Sequence, residues 1–225
     1  MRCDPAFVRD MLRLYAVTDR RWLRGETLHE QVERAILGGV TCVQLREKAL
    51  ERDAFYEEAV SLRALCSLYH VPLIINDDVE IALACGADGV HVGSSDMDIA
   101  QIRRMAGDRL IIGATAKTVD QAICAQAAGA DYLGSGAVFG TATKPDARPM
   151  TMALLREIAA SVSIPVVAIG GIDSGNIAAL RRSGVAGAAV VSGIFAQDDI
   201  GRVCAELRAQ IDSIVTEQEA DVCKR

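Results

Sequence analysis

The chain has 225 residues, of which 51% are hydrophobic and 24% are charged, with 19 glycines. This composition excludes a disordered chain and a fibrous one, and the length permits one large domain with its own core. The 30 acidic residues outnumber the 24 basic ones, so the net charge of −6 gives no general attraction for nucleic acid or for an anionic membrane. An anionic ligand would therefore need a local site.

Eight short runs rich in β-branched and aliphatic residues recur along the chain, and we predict that each is a β-strand. The runs occupy residues 12–19, 39–48, 71–77, 88–93, 109–115, 131–136, 164–171 and 186–193. They are apolar almost throughout instead of alternating, as expected for a parallel sheet with both faces covered.

The segments between these runs carry apolar residues about 3.6 positions apart, a spacing typical of helices. Examples are Leu28, Val32, Ala35 and Ile36, then Phe55, Ala59, Leu62 and Leu65, then Ile99, Ile102 and Met105. We therefore expect a helix in each link. Eight strand and helix units in a chain of this length predict a single (β/α)8 barrel, or TIM barrel, as one domain over residues 1–225. Residues 1–11 are expected to form a short N-terminal extension, and residues 216–225 a frayed tail.

The cysteines suggest a reducing compartment. All 7 are scattered along the chain without CxxC spacing, which is typical of free thiols. The first residues lack the apolar segment of a secretory signal, and the chain has no apolar run long enough to cross a membrane. We expect a cytoplasmic protein.

The carboxyl ends of barrel strands are where active sites of this fold lie, so polar residues there carry the functional prediction. After the second run, the period of two places Gln44, Arg46 and Lys48 on one face. Two cations at a barrel mouth favour an anionic ligand, and a phosphorylated molecule would satisfy them. The alternative is an exposed, charged start of a loop.

Two carboxylates, Asp77 and Asp96, follow the third and fourth runs. Mg²⁺ is commonly held by one or two carboxylates together with substrate phosphates, so the pair predicts a metal site beside the two cations. The alternative is that Asp77 or Asp78 caps the next helix. Asp98 is the weaker candidate for a metal ligand.

A glycine-rich loop follows the sixth run and contains Thr141, Thr143 and Lys144, which suit a phosphate group. Its length predicts a lid over the barrel mouth, and the alternative is a mobile surface loop. The seventh and eighth runs end near Gly171 and Ser192, where barrels commonly hold phosphate on backbone amides.

Other catalytic classes find little support in the sequence. We expect structural roles for the three histidines, His29, His70 and His91. The positions give no Ser-His-Asp or Cys-His grouping, no zinc spacing and no GxGxxG motif before a helix. Hydride transfer and acyl hydrolysis are therefore disfavoured.

The ordered motifs LYAVTD, QLREK, IINDD, GADGVHVGSSD, GADYLGSGAVFGTATK, IPVVAIGGI and VVSGI make the chain resemble the thiamin phosphate synthases between residues 12 and 196. The resemblance implies a transferase of thiamine biosynthesis that uses Mg²⁺. Such an enzyme joins a hydroxymethylpyrimidine diphosphate to a thiazole phosphate and releases diphosphate. Its expected partners are these two small molecules, with no nucleic acid and no membrane. The sequence leaves open whether the chain forms a homo-oligomer.

The resemblance also implies roles for individual residues. Those implied to hold the pyrimidine diphosphate are Gln44, Arg46, Lys48 and Asn76. Asp77 and Asp96 would hold the metal, and Lys144 the departing diphosphate. Those implied to hold the thiazole phosphate are Thr141, Thr143, Gly171, Val191 and Ser192. Those implied to act catalytically are Arg46, Lys48, Thr115 and Lys144.

The chain departs from the family pattern at a few positions. Thr115 stands where the family usually has the serine of a G-x-S motif, so the hydroxyl expected to face the pyrimidine carries an extra methyl group. Ser94-Ser95 replaces the more usual Gln-Glu, and Thr151 replaces a glycine. These changes bear on details of the site.

Two alternatives share the phosphate cradle. One is a thiazole tautomerase, an isomerase on the same barrel, and the other is a barrel that binds a phosphorylated ligand without catalysis. The tautomerase should lack the metal pair, so the presence of Asp77 and Asp96 favours the synthase.

Overall fold

A computed structural model describes residues 4–93, 96–140 and 150–222. Eight parallel strands close into one barrel in chain order, with the last strand paired to the first. The strands are β1 (Leu14–Val17), β2 (Cys42–Leu45), β3 (Leu73–Asn76), β4 (Gly89–Val92), β5 (Ile111–Thr115), β6 (Tyr132–Gly136), β7 (Val166–Ile169) and β8 (Gly187–Val190). Each strand lies within its predicted run, so the predicted (β/α)8 barrel is confirmed.

The α-helices of the described residues mostly follow the strands one by one. They are α1 (Pro5–Met11), α2 (Leu28–Leu37), α3 (Arg52–Leu68), α4 (Val79–Cys85), α5 (Ile99–Ala106), α6 (Val119–Ala128), α7 (Met152–Ser161), α8 (Ser192–Phe195) and α9 (Ile200–Val222). Short 3₁₀ helices cover Arg20–Trp22 and Ile177–Leu180. None of the described helices is both long and apolar enough to span a membrane.

The link between β7 and β8 differs from the prediction of a helix in every link, because it contains only the 3₁₀ helix Ile177–Leu180. Asp173 Oδ1 accepts hydrogen bonds from the N–H groups of Gly175 and Asn176, at 2.9 and 3.1 Å. The Asn176 side chain in turn donates to the carbonyl of Gly171 at 2.8 Å. Such local side-chain bonds compete with the bonds of an α-helix, so the segment turns early.

Apolar side chains pack on both sides of the barrel wall. A small cluster fills the interior, including Tyr15, Ile74 and Tyr132, while a much larger cluster lies between the strands and the helices. Val8 and Met11 of α1 belong to the interior cluster, so this helix packs against the barrel interior. The burial of both strand faces explains why the strand sequences are continuously apolar.

The helix-to-strand joints depend on glycine at two positions in particular. Gly86 and Gly129 end α4 and α6 with φ angles of 70° and 103°, and in each case the N–H bonds back to the helix. This left-handed conformation costs glycine little, so it ends a helix sharply before the next strand.

Two helices depart from details of the sequence prediction. The apolar spacing predicts that Met105 of α5 packs inward, but it is 39% exposed, because Ile102 and Ala106 are the residues that face the barrel.

The chain beyond 215, expected to fray, is helical as far as Val222. Two contacts tie this end of α9 to the barrel. Glu219 forms an ion pair with Arg13 at 3.0 Å, and the side chain of Gln218 accepts a hydrogen bond from the N–H of Gly184.

Candidate active site

A cavity of about 340 Å³ opens at the carboxyl ends of the strands. The last residues of several strands line it, among them Asn76 of β3, Thr115 of β5 and Ile169 of β7. Ten of the predicted site residues line this one cavity: Gln44, Arg46, Lys48, Asn76, Asp77, Asp96, Thr115, Gly171, Val191 and Ser192. The other three, Thr141, Thr143 and Lys144, lie outside the described residues. The carboxyl ends of the strands thus bring together every predicted residue that the structure describes.

The end of β2 is held by the loop that follows β1. The N–H of Thr18 donates to the carbonyl of Gln44, and the hydroxyl of Thr18 accepts a bond from the N–H of Arg46, both at 3.0 Å. The period of two continues past the strand, so Gln44, Arg46 and Lys48 line the cavity while Leu45 packs in the outer core. The two cations therefore lie at the cavity, as the sequence predicts.

Glu47, between those two cations, points away from the cavity and binds the guanidinium of Arg20 at 2.6 Å. Arg20 also contacts Glu58 of α3. The side chain of Glu47 is only 4% exposed, and burial raises its pKa although Arg20 lowers it. This ion-pair network ties the loop after β2 to α3 and so holds the backbone that carries Arg46 and Lys48.

The two adjacent aspartates after β3 have different roles. Asp78 caps α4, because its carboxylate accepts a bond from the N–H of Ile81 at 2.8 Å. Asp77 has a left-handed φ of 66°, lines the cavity and forms an ion pair with Lys48. The capping alternative therefore holds for Asp78, and Asp77 remains available to a ligand in the cavity.

The second carboxylate, Asp96, also lines the cavity, where it accepts a bond from the N–H of Gly93 at 2.7 Å. Asp98 caps α5 through a bond from the N–H of Gln101 and does not line the cavity. Asp77 and Asp96 thus present carboxylate oxygens from neighbouring strands to one space. Hard oxygen donors of this kind fit Mg²⁺.

The backbone comes close to itself on the opposite wall, after β7 and β8. A Cβ atom at Gly171 would lie 2.1 Å from the carbonyl oxygen of Gly140, and one at Gly193 would lie 2.3 Å from that of Ile172. Only glycine fits such approaches. Of these two glycines, Gly171 lines the cavity, so main chain instead of a side chain forms that part of its surface, beside Val191 and the first residue of α8, Ser192. Exposed backbone of this kind suits a phosphate group.

Three polar side chains that line the cavity are not among those of the predicted site residues. Lys117, an exposed cation after β5, has no motif that marks it in the sequence. Tyr15 and His91 are inward-facing by their strand period, but an apolar strand gives no sign that a tyrosine or a histidine reaches a ligand space. The expected structural role of His91 is thus incomplete, since its ring lines the cavity and lies 3.2 Å from the hydroxyl of Thr115.

A closed (β/α)8 barrel whose mouth combines two cations, two carboxylates and a glycine backbone cradle defines the class of barrel enzymes that act on small phosphorylated molecules. Comparison with known proteins narrows the class. The family model of thiamine monophosphate synthase matches residues 14–194, and the chain belongs to this family.

Individual relatives agree with the family assignment. The chain is 50% identical to a thiamine-phosphate synthase of Ruminiclostridium cellulolyticum, over 83% of this chain and 89% of the relative. It is 46% identical to a thiamine-phosphate synthase of Clostridium botulinum, over 90% and 95% of the two chains. A solved structure of a thiamine phosphate pyrophosphorylase from Pyrococcus furiosus superimposes with a TM-score of 0.86 at 39% identity, covering 92% of this chain and 99% of that one.

Proposed function

We propose that this chain joins 4-amino-2-methyl-5-hydroxymethylpyrimidine diphosphate to 4-methyl-5-(2-phosphoethyl)thiazole, forming thiamin phosphate and releasing diphosphate. The observation that carries the proposal is that one cavity has two groups of residues suited to anions, on opposite walls. The cations and carboxylates follow β2, β3 and β4, whereas the glycine cradle follows β7 and β8. In an eight-stranded barrel β3 and β7 face each other, so two phosphorylated substrates can meet between them.

On the first wall, Arg46 and Lys48 supply positive charge for the pyrimidine diphosphate, with Gln44 and Asn76 beside them. Asp77 and Asp96 are the residues that would hold Mg²⁺, with the remaining ligands coming from diphosphate oxygens and water. When bound, Mg²⁺ neutralises charge that develops on the departing diphosphate. In this structure Lys48 forms an ion pair with Asp77. On substrate binding, Asp77 would contact the metal and Lys48 would contact the diphosphate instead.

On the second wall, the backbone around Gly171, Val191 and Ser192 holds the phosphate of the thiazole. This group is not altered in the reaction, so its contacts serve to position the thiazole nitrogen. By resemblance to the family, Thr141 and Thr143 are expected to bind the same phosphate, and Lys144 the leaving diphosphate.

The reaction needs no general base. The carbon–oxygen bond of the pyrimidine diphosphate breaks, diphosphate leaves with the electron pair, and the methylene carbon becomes electron-deficient. The lone pair of the thiazole nitrogen then forms the new carbon–nitrogen bond, and no proton is transferred. Arg46 and Lys48 stabilise the charge of the leaving group, while the cavity walls keep the two reacting atoms together.

Metal-dependent release of diphosphate from the two substrates tests the proposal. Because each carboxylate provides a metal contact, Asp77→Asn and Asp96→Asn should each lower turnover at limiting Mg²⁺ by about 10²-fold, the equivalent of about 3 kcal/mol, and should raise the Mg²⁺ concentration needed for half-maximal rate. Asp98→Asn is the matched control, because it lies outside the cavity and asparagine caps a helix as well as aspartate.

The result that contradicts the proposal is absence of diphosphate release by the unmodified chain with both substrates and Mg²⁺. Near-normal rates of both Asp77→Asn and Asp96→Asn at limiting Mg²⁺ would remove the metal assignment alone.

A further inference from the structure

Five polar side chains form a continuous hydrogen-bonded chain across the barrel interior, beneath the cavity. Gln44 Nε2 lies 2.7 Å from Tyr15 Oη, which lies 2.9 Å from Tyr132 Oη. Tyr132 Oη lies 3.1 Å from His91 Nδ1, and His91 Nε2 lies 3.2 Å from Thr115 Oγ1. The chain thus links β2, β1, β6, β4 and β5, and its two ends are residues predicted to contact the pyrimidine.

The barrel wall is shaped to admit these rings. A Cβ atom at Gly113 would lie 2.1 Å from Cζ of Tyr132, and one at Gly134 would lie 3.1 Å from Cε1 of His91. The ring centroids of His91 and Tyr132 lie 5.5 Å apart. Glycines on β5 and β6 therefore provide the room that the hydrogen-bonded chain occupies.

Both tyrosines keep their protons. Tyr15 and Tyr132 are 1% and 0% exposed, and burial raises the pKa of each phenol well above its ordinary value. Each phenol therefore has one proton to donate and an oxygen that accepts. Since both are buried, a proton without an acceptor would be costly.

Counting donors and acceptors gives the chain a direction. The Gln44 amino group can only donate, so Tyr15 accepts a hydrogen bond from it. The hydroxyl of Tyr15 then donates a hydrogen bond to Tyr132. Tyr132 then donates to His91 Nδ1, which leaves the imidazole proton on Nε2, facing Thr115. With a proton on His91 Nδ1 instead, Tyr15 would accept from both neighbours and its buried proton would have no acceptor.

We infer that this chain of hydrogen bonds makes Thr115 a donor to the substrate. Thr115 accepts from His91 Nε2, so its hydroxyl proton is directed to an acceptor atom in the cavity. The inference rests on the proposed function, in which that acceptor is a ring nitrogen of the pyrimidine. Tyr15, Tyr132 and His91 act through Thr115 and are positioning residues that select an acceptor over a donor on the ligand.

The first test measures the tautomer of His91 in the free protein by ¹⁵N NMR of histidine-labelled chain, with His91→Gln used to assign the signal. We expect Nδ1 unprotonated and Nε2 protonated. Tyr132→Phe, which removes the donor to Nδ1, should abolish this preference while the protein stays folded. A proton on Nδ1 in the unmodified protein, or a tautomer that Tyr132→Phe leaves unchanged, would overturn the inference.

The second test uses binding of the pyrimidine diphosphate and of its two pyridine analogues, in each of which C–H replaces one ring nitrogen. One analogue should bind the unmodified protein about 10-fold more weakly than the substrate, because it lacks the acceptor for Thr115. With Thr115→Val, that analogue and the substrate should bind equally. Equal binding of both analogues and the substrate to the unmodified protein would refute the donor role.

These outcomes separate the inference from the proposed function. A protein that binds no pyrimidine diphosphate with Mg²⁺ would contradict the proposed function and the ligand assigned to Thr115. The direction of the hydrogen-bonded chain would still be decided by the His91 tautomer, which is measured without any ligand.

Discussion

The close approach of Tyr132 to β5 makes Gly113→Ala a sharp test of the packing inside the barrel. The added methyl group would lie 2.1 Å from Cζ, 2.3 Å from Oη and 2.5 Å from Cε1 of Tyr132. Ordinary contact between such atoms is near 3.5 Å, so the ring would have to withdraw by more than about 1 Å. It has little room to do so, because it is fully buried against Tyr15 and His91.

The expected cost has two parts. Overpacking of a closed core costs about 1–3 kcal/mol, and weakening the two hydrogen bonds of Tyr132 adds about 1 kcal/mol for each. We expect the free energy of unfolding to fall by about 3–5 kcal/mol, which lowers the thermal midpoint of a domain this size by about 6–20 °C. Urea titration and thermal melting followed by circular dichroism measure both quantities.

Two further variants identify the cause. Gly201→Ala is the matched control, because a Cβ atom there would meet nothing closer than 3.8 Å in the first turn of α9, and it should leave stability unchanged or raise it by about 0.5 kcal/mol. In a Tyr132→Leu background, Gly113→Ala should cost less than about 1 kcal/mol, because the obstructing ring is gone. An equal cost in both backgrounds, or none in either, would refute the steric reasoning.

Two other predictions concern titratable groups. Because burial raises the pKa of Glu47 in the folded protein, the folded state binds more protons than the unfolded one, and stability should fall as pH rises from the ordinary glutamate pKa of about 4.3 through the raised folded value. Glu47→Gln should reduce this slope in urea midpoints, and an unchanged slope would contradict it. Burial also raises the pKa of Cys66 and of Cys204 to about 12, so iodoacetamide should label exposed Cys124 and spare these two until urea unfolds the chain. Peptide mapping measures the labelling, and equal modification of all three in the folded protein would be the opposite result.

Local patterns in the sequence are enough to predict the strands, most of the helices and the polar ends of β2, β3 and β4. Strand runs and the period of two are properties of neighbouring residues, so the sequence alone places Gln44, Arg46 and Lys48 on one face. The link after β7 is the exception, because the Asp173 and Asn176 side chains form a turn that the apolar spacing does not show.

Only the tertiary structure shows which residues of a sequence pattern line the cavity and which have a structural role. Asp77 and Asp78 are equivalent by sequence, yet one lines the cavity and the other caps α4, because the left-handed turn at Asp77 directs the two side chains differently. The hydrogen-bonded chain through Tyr132 and His91 joins five strands that are distant in sequence. This hydrogen-bonded chain depends on the closure of the barrel and on the space that Gly113 leaves for Tyr132. The residue pattern within a single strand gives no information about either.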